Sequence, residues 1–208
     1  MSRTPDKRPF ALTSALLLCL FFGFWGANDG CQTLAFYRGG SLDAPMEHLA
    51  VADAEQRANI VAAYANLAVE TEAARPKAFP LAAAAVVLGI AIVFFSLRAF
   101  ARSASARSML WQLAIAQTAL VVGAHFALPR LWAANMSTIA AIQRAKQAEV
   151  GRTEEERKGT EQFMRIMPAL PAAGTAVRSI LGVLVVLVLT RRSTREYFDA
   201  AQPAEGRG

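Results

Sequence analysis

Two long apolar runs in the middle of the chain limit what this sequence can fold into. Residues 79–97 and 108–129 are each long enough to cross a bilayer as a helix, which takes about 20 residues. The segment between them, residues 98–107, holds three arginines and no acid. Because basic residues are retained on the cytoplasmic side, the two runs predict a transmembrane hairpin with a cytoplasmic turn.

Composition supports a membrane protein. Of 208 residues, 54% are hydrophobic, and they are clustered in blocks rather than spaced at a helical or strand period. Two further blocks, 10–27 and 169–190, are also candidate spans. The predicted fold class is therefore an all-α integral membrane protein with four transmembrane helices, two extracytoplasmic helical segments, and both termini in the cytoplasm.

The distribution of charge sets this topology. The N-terminal segment, the central turn and the C-terminal segment carry net charges of +2, +3 and +1, whereas the segment after the first span has seven acids and four bases. The segment after the third span fits less well, with seven bases and five acids. The predicted segments are a cytoplasmic N-terminus (1–9), TM1 (10–27), an outer helical loop (28–78), TM2 (79–97), a basic cytoplasmic turn (98–107), TM3 (108–129), an outer helical hairpin (130–168), TM4 (169–190) and a cytoplasmic tail (191–208).

Arginine outnumbers lysine 18 to 4, which is typical of a GC-rich bacterial genome. We therefore expect a multi-pass protein of the bacterial inner membrane. A cleaved signal peptide is the alternative interpretation of the first run, but Trp25 is too bulky three residues before a cut after Ala27. The two halves share an outline of span, outer helical segment, proline pair and returning span, and whether they are a true duplication stays open.

Glycine, proline and helix-capping residues predict the boundaries of the first outer segment. The sequence Asn-Asp-Gly at residues 28–30 and the glycines at 39 and 40 predict an irregular loop. Asp43 is then expected to cap a helix over residues 44–75. Pro76 and Pro80 are expected to interrupt that helix before the second span.

In the second outer segment a helix is expected beyond Pro129, ending at Gly151. Thr153 and Glu156 form a capping box for a short helix that reaches about residue 167. Pro168 and Pro171 should break this helix before the fourth span, and residues 200–208 are expected to be disordered.

Four polar residues fall inside the predicted spans, at Arg178, His125, Gln117 and Gln112, and form a candidate intramembrane cluster. A central arginine costs about 2.5–3.5 kcal/mol on insertion scales. Arg178 either extends to the outer headgroups or faces the bundle and pairs with a polar group. No acid is expected within a span, which argues against a proton- or cation-coupled transporter.

No spacing of residues indicates a catalytic, metal, phosphate-loop or cofactor site, so we expect no cofactor and no enzyme activity. Cys31 is the one externally placed thiol and a candidate for an intermolecular disulfide. No basic block is interleaved with aromatic residues, so nucleic acid is not an expected partner.

Two functions fit these patterns. The first is a non-catalytic accessory, scaffold or sensor subunit whose thinly apolar outer helices bind a protein partner or a second copy. The second is a small oligomeric channel or transporter, with anions as the expected permeant because the only expected intramembrane charge is positive.

Overall fold

The computed structural model describes residues 9–40, 53–147 and 154–200, and these residues form helices and no strand. The helices are α1 (Phe10–Gly39), α2 (Ala54–Phe100), α3 (Ala104–Ala127), α4 (Pro129–Gln147), α5 (Glu154–Ile166), a 3-10 turn (Met167–Ala169), α6 (Leu170–Thr190) and α7 (Arg192–Asp199).

Four stretches of the described residues are long and apolar enough to cross a membrane. They are Phe10–Gly39, Ala54–Phe100, Ala104–Ala127 and Glu161–Thr190. The prediction of a helical protein with four candidate membrane spans is confirmed.

Helix α1 is longer than the first apolar run, and the predicted loop over residues 28–40 is wrong. Asn28, Asp29 and Gly30 all lie within α1, which ends at Gly39. Gly30 allows α1 to pack closely against α2 and does not form a turn. A methyl group on Gly30 would lie 2.6 Å from the carbonyl oxygen of Ala82 on α2. Close contact between the two helices thus offsets the low helix propensity of this sequence.

Helix α2 begins at a capping box that the sequence analysis missed. Asp53 Oδ1 accepts a hydrogen bond from the Gln56 amide (2.8 Å), and Gln56 Oε1 accepts one from the Asp53 amide (3.3 Å). The predicted cap at Asp43 lies outside the described residues.

The expected interruption of α2 at its two prolines is also wrong. Helix α2 runs 47 residues without a break, which is about 70 Å at the α-helical rise. Pro76 and Pro80 are four residues apart on one exposed face. The carbonyls that lose a partner at these positions therefore point away from the packed side of the helix, where their loss costs least.

The turn between α2 and α3 is shorter than the ten-residue segment predicted from the sequence. The amide of Ser103 donates to Arg98 O (3.2 Å) and the amide of Arg102 to Ala99 O (3.0 Å), a Schellman arrangement. Arg102 occupies the left-handed position with φ of 61°, which usually favours glycine.

The second half of the chain follows the expected order of helices. A helix does begin at Pro129, and a 3-10 turn containing Pro168 separates α5 from α6. Gly151 and the cap at Thr153 lie outside the described residues, as do residues 201–208 of the predicted tail. Helix α7 was not predicted; its Tyr197 and Phe198 are buried.

The chain divides into two compact units. Of the described residues, unit 1 contains 9–34, 80–123 and 176–200, and unit 2 contains 35–40, 53–79, 124–147 and 154–175. The core of unit 1 draws on α1, α2, α3, α6 and α7 through the following buried residues: Leu12, Leu16, Cys19, Ile92, Ala99, Ala106, Leu110, Ala114, Val185, Leu189, Tyr197 and Phe198.

Unit 2 is held together by polar contacts as well as by a small apolar cluster. Ile60 and Ala145 are buried against each other's helices. Thr138 Oγ1 on α4 donates to Ala63 O on α2 (3.2 Å). Tyr37 Oη, near the end of α1, donates to the carbonyl oxygen of Thr71 (3.1 Å).

Candidate functional site

The most unusual arrangement in unit 1 surrounds Arg178 on α6. Its Nη2 lies 3.3 Å from Asp29 Oδ2, and its guanidinium carbon lies 4.0 Å from the centroid of the Trp25 ring. Trp25 and Asp29 are four residues apart on α1 and therefore share a face of that helix. Helix α1 thus presents an acid and an aromatic ring together to one cation on α6.

This geometry places the guanidinium of Arg178 against the bundle. Its side chain is 32% exposed and that of Asp29 is 44% exposed, so the pair lies at the edge of the packed interior. In an apolar surrounding an opposite charge and a ring face both favour a guanidinium. The ion pair therefore offsets part of the insertion cost that an isolated arginine would carry.

Asp29 is the residue of this site that the sequence analysis missed. The sequence Asn-Asp-Gly was interpreted as part of an irregular loop, which placed the acid outside the spans. Two features of the sequence could have predicted the pairing. The apolar pattern resumes beyond Asp29, from Leu34 to Tyr37, and an intramembrane Arg178 needs an opposite charge. The two partners are separated by 149 residues in the sequence, so no local pattern indicated the pair.

Beside the ion pair lies a pocket of about 40 Å³, which is large enough to admit water. Its polar lining comes from Arg178, Gln117 and Thr118. The other lining residues are largely apolar and come from all four long helices of unit 1: Cys19, Phe22, Trp25, Gly26, Ile92, Ala114, Val121, Gly182 and Val185.

Gln117 has a buried carbonyl oxygen, Oε1, that accepts no hydrogen bond. The amide nitrogen of the same side chain lies over Gly26, where a methyl group would come within 2.6 Å of it. Thr118 Oγ1 donates to the carbonyl of Ala114 (2.8 Å) and packs on Gly182. Two glycines thus make room for two polar side chains of α3.

Small residues also bring α1 and α2 together near this cavity. A methyl group on Gly23 would lie 2.8 Å from the Gly89 carbonyl oxygen, and one on Gly89 would lie 2.5 Å from the Gly23 carbonyl oxygen. Because backbone blocks each methyl group, neither glycine tolerates a larger residue without movement of a helix.

The other predicted intramembrane residues do not line the cavity. Gln112 is exposed on α3. His125 belongs to unit 2, where its Nδ1 lies 3.3 Å from Thr175 Oγ1 and its ring packs edge-on against Phe126. Of the four candidates, Arg178 and Gln117 come together. Cys31 is an exposed free thiol on α1.

Unit 2 offers a different kind of surface on the first half of α2. We call it the Ala/Val face, and it consists of exposed apolar residues spaced three or four apart: Ala54, Ala58, Val61, Ala65 and Val69. Val61 is 49% exposed and Val69 is 66% exposed. The buried residues of the same helix, Ile60 and Leu67, point to a different side.

No known protein family, characterised protein or solved structure matches this chain. Within the described residues, no group of three or more histidine, cysteine or acidic side chains could hold a metal ion.

Proposed function

We propose that this chain is a non-catalytic, multi-pass protein of the bacterial inner membrane that acts as an accessory, scaffold or sensor subunit and binds a protein partner through its outer helices. The Ala/Val face of α2 carries the proposal. It belongs to unit 2, and it is apolar where a solvated helix is expected to be polar.

The Ala/Val face has the chemistry of a helix-binding surface. Burying one valine contributes about 1.5–3 kcal/mol, so covering Val61 and Val69 offers a substantial gain. The intervening alanines let a second helix approach closely. Glu72 continues the same face toward the second span and would mark one end of the contact.

Arginine placement supports cytoplasmic termini. In the described part of unit 1, the arginines other than Arg178 lie within residues 98–107, around the turn between α2 and α3, and within residues 191–195. By the positive-inside rule we assign this end of unit 1 to the cytoplasm, and the order of the spans along the chain then assigns residues 28–78 and 130–168 to the outer side.

The alternative, an oligomeric anion channel or transporter, depends on an uncompensated intramembrane cation. Asp29 neutralises Arg178, so the geometry favours the accessory function. Anion flux in liposomes that disappears in Arg178→Ala would reverse this preference.

The test of the accessory function uses the double substitution Val61→Glu/Val69→Glu on the Ala/Val face. Asn59→Glu/Asn66→Glu is the matched control, since both asparagines are exposed on α2 but lie off that face. Acids are used because they affect membrane topology little. After gentle solubilisation from native membranes, the mass and composition of the tagged complex are measured.

We expect the valine variant to insert normally and to lose the co-purifying partner, while the asparagine variant keeps it. An unchanged complex in the valine variant would exclude binding through this face.

A further inference from the structure

The charged residues of unit 1 are distributed very unevenly. Its described part contains ten, of which Asp29 and Arg178 pair beside the cavity. The remaining eight lie at the turn between α2 and α3 or around α7 and comprise six arginines and two acids: Arg98, Arg102, Arg107, Arg191, Arg192, Arg195, Glu196 and Asp199. We call this set the basic end, and its net charge is +4, from six bases less two acids.

Direct contacts hold the two parts of the basic end together. Arg107 Nη1 donates to Leu189 O at the end of α6 (3.3 Å). The guanidinium carbon of Arg102 lies 4.8 Å from the centroid of the Tyr197 ring on α7. The turn therefore lies against the junction of α6 and α7, and the arginines of both share one surface.

The arginines on α7 are displayed by a well-anchored helix. Tyr197 and Phe198 are almost fully buried in the core of unit 1, while Arg192 and Arg195 are exposed. Glu196 is engaged by Arg192, with Nε and Oε1 2.8 Å apart. Because the backbone of α7 is already fixed, an anion bound there orders side chains only.

Two exposed apolar stripes end at this basic surface. On α6, Ile180, Leu184 and Leu187 follow one another at intervals of four and three residues, and Arg191 comes four residues later. On α2, exposed Ile90 and Phe94 are four residues apart, and Arg98 comes four residues after Phe94.

The Arg98 guanidinium carbon lies 6.0 Å from the centroid of the Phe94 ring. Each stripe offers contact for a hydrocarbon chain, with a guanidinium at its end.

We propose that the basic end is a binding surface for anionic phospholipids, with the lipid phosphate on the exposed arginines and an acyl chain along each apolar stripe. Guanidinium groups match phosphate oxygens in geometry and charge, and basic residues beside a membrane span attract anionic lipid. The proposal does not depend on the partner-binding face of unit 2.

The experiment compares the full-length protein in nanodiscs of phosphatidylcholine alone and in nanodiscs that also contain phosphatidylglycerol. Thermal unfolding and the number of lipids retained in native mass spectrometry are measured. We expect phosphatidylglycerol to raise the unfolding midpoint and to be retained in preference to phosphatidylcholine. Equal retention of the two lipids by the unaltered protein would overturn the proposal.

Variants locate the surface. Arg191→Gln/Arg195→Gln should lower the affinity for phosphatidylglycerol about 30-fold, because each basic residue near the membrane contributes about fivefold. Arg144→Gln/Arg165→Gln, which removes two exposed arginines of unit 2, should leave it unchanged. Equal losses in both variants would show that the lipid responds to net charge and not to this surface.

A final comparison distinguishes a lipid headgroup from a free anion. Inorganic phosphate added to phosphatidylcholine nanodiscs should not reproduce the stabilisation. An equal stabilisation by phosphate would assign the surface to a soluble anion and refute the lipid proposal. If the arginine variants fail to fold, the comparison of lipids with the unaltered protein still decides the question.

Discussion

The ion pair between Asp29 and Arg178 predicts a measurable coupling between α1 and α6. The substitutions are Asp29→Asn, Arg178→Gln and the two combined, so that the interaction free energy follows from a double-mutant cycle. The single variants leave one charge beside an apolar cavity without its partner, whereas the double variant removes both charges. We therefore expect the double variant to be more stable than the sum of the single losses indicates.

The expected magnitude lies between two limits. Pairs exposed to solvent contribute about 0–1 kcal/mol, and breaking a fully buried pair costs about 3–5 kcal/mol. Here both side chains are partly exposed, and the 3.3 Å separation is longer than that of a strong charge-assisted hydrogen bond. These features place the coupling at about 1–2 kcal/mol.

Unfolding in mixed micelles, followed by tryptophan fluorescence or steric trapping, gives the free energies. The exposed pair of Arg192 and Glu196 in the same unit provides the control cycle, with an expected coupling of about 0.3–0.5 kcal/mol. A coupling at Asp29 and Arg178 no larger than that of the control would refute the role given to the pair.

Three further predictions concern helix packing and helix capping. Gly89→Ala should lower the free energy of unfolding by about 1–3 kcal/mol, because the added methyl group meets the Gly23 carbonyl oxygen. Gly123→Ala is the control and should not destabilise the protein, since nothing lies within 4 Å of the added methyl group. Equal losses of stability in the two variants, measured in unfolding experiments, would contradict the close approach of α1 and α2. Phe198→Ala should cost about 3–5 kcal/mol in the same assay, and an unchanged stability would show that α7 is not part of the core. Asp53→Ala should cost about 1 kcal/mol through loss of the cap, seen as faster hydrogen exchange at the start of α2 alone.

Local composition was sufficient to find the four candidate spans, because a helix in a membrane requires a long uncharged run whatever it packs against. The turn between α2 and α3 was predicted in the same way, from the arginines of residues 98–107. The break at Pro168 was also found, since a 3-10 turn there needs no distant partner.

Features that depend on distant contacts were not found. From the sequence alone Gly30 predicts an irregular loop, because its close contact with the backbone of α2 is seen only in the folded protein. Pro76 and Pro80 predict a break in the helix, and only the structure shows that both lie on one exposed face. The partner of Arg178 could not be predicted without knowing that α1 continues past Asp29. Helix α7 could not be predicted without knowing the core in which Tyr197 and Phe198 are buried.

The measurement that tests the proposed function most directly is site-specific photo-crosslinking in native membranes from Ala65, at the centre of the Ala/Val face. Asn59, exposed on another side of α2, is the reference position. The accessory function predicts a product of one defined mass from position 65 and none from position 59. No product from position 65, or the same mixture of products from both positions, would contradict it.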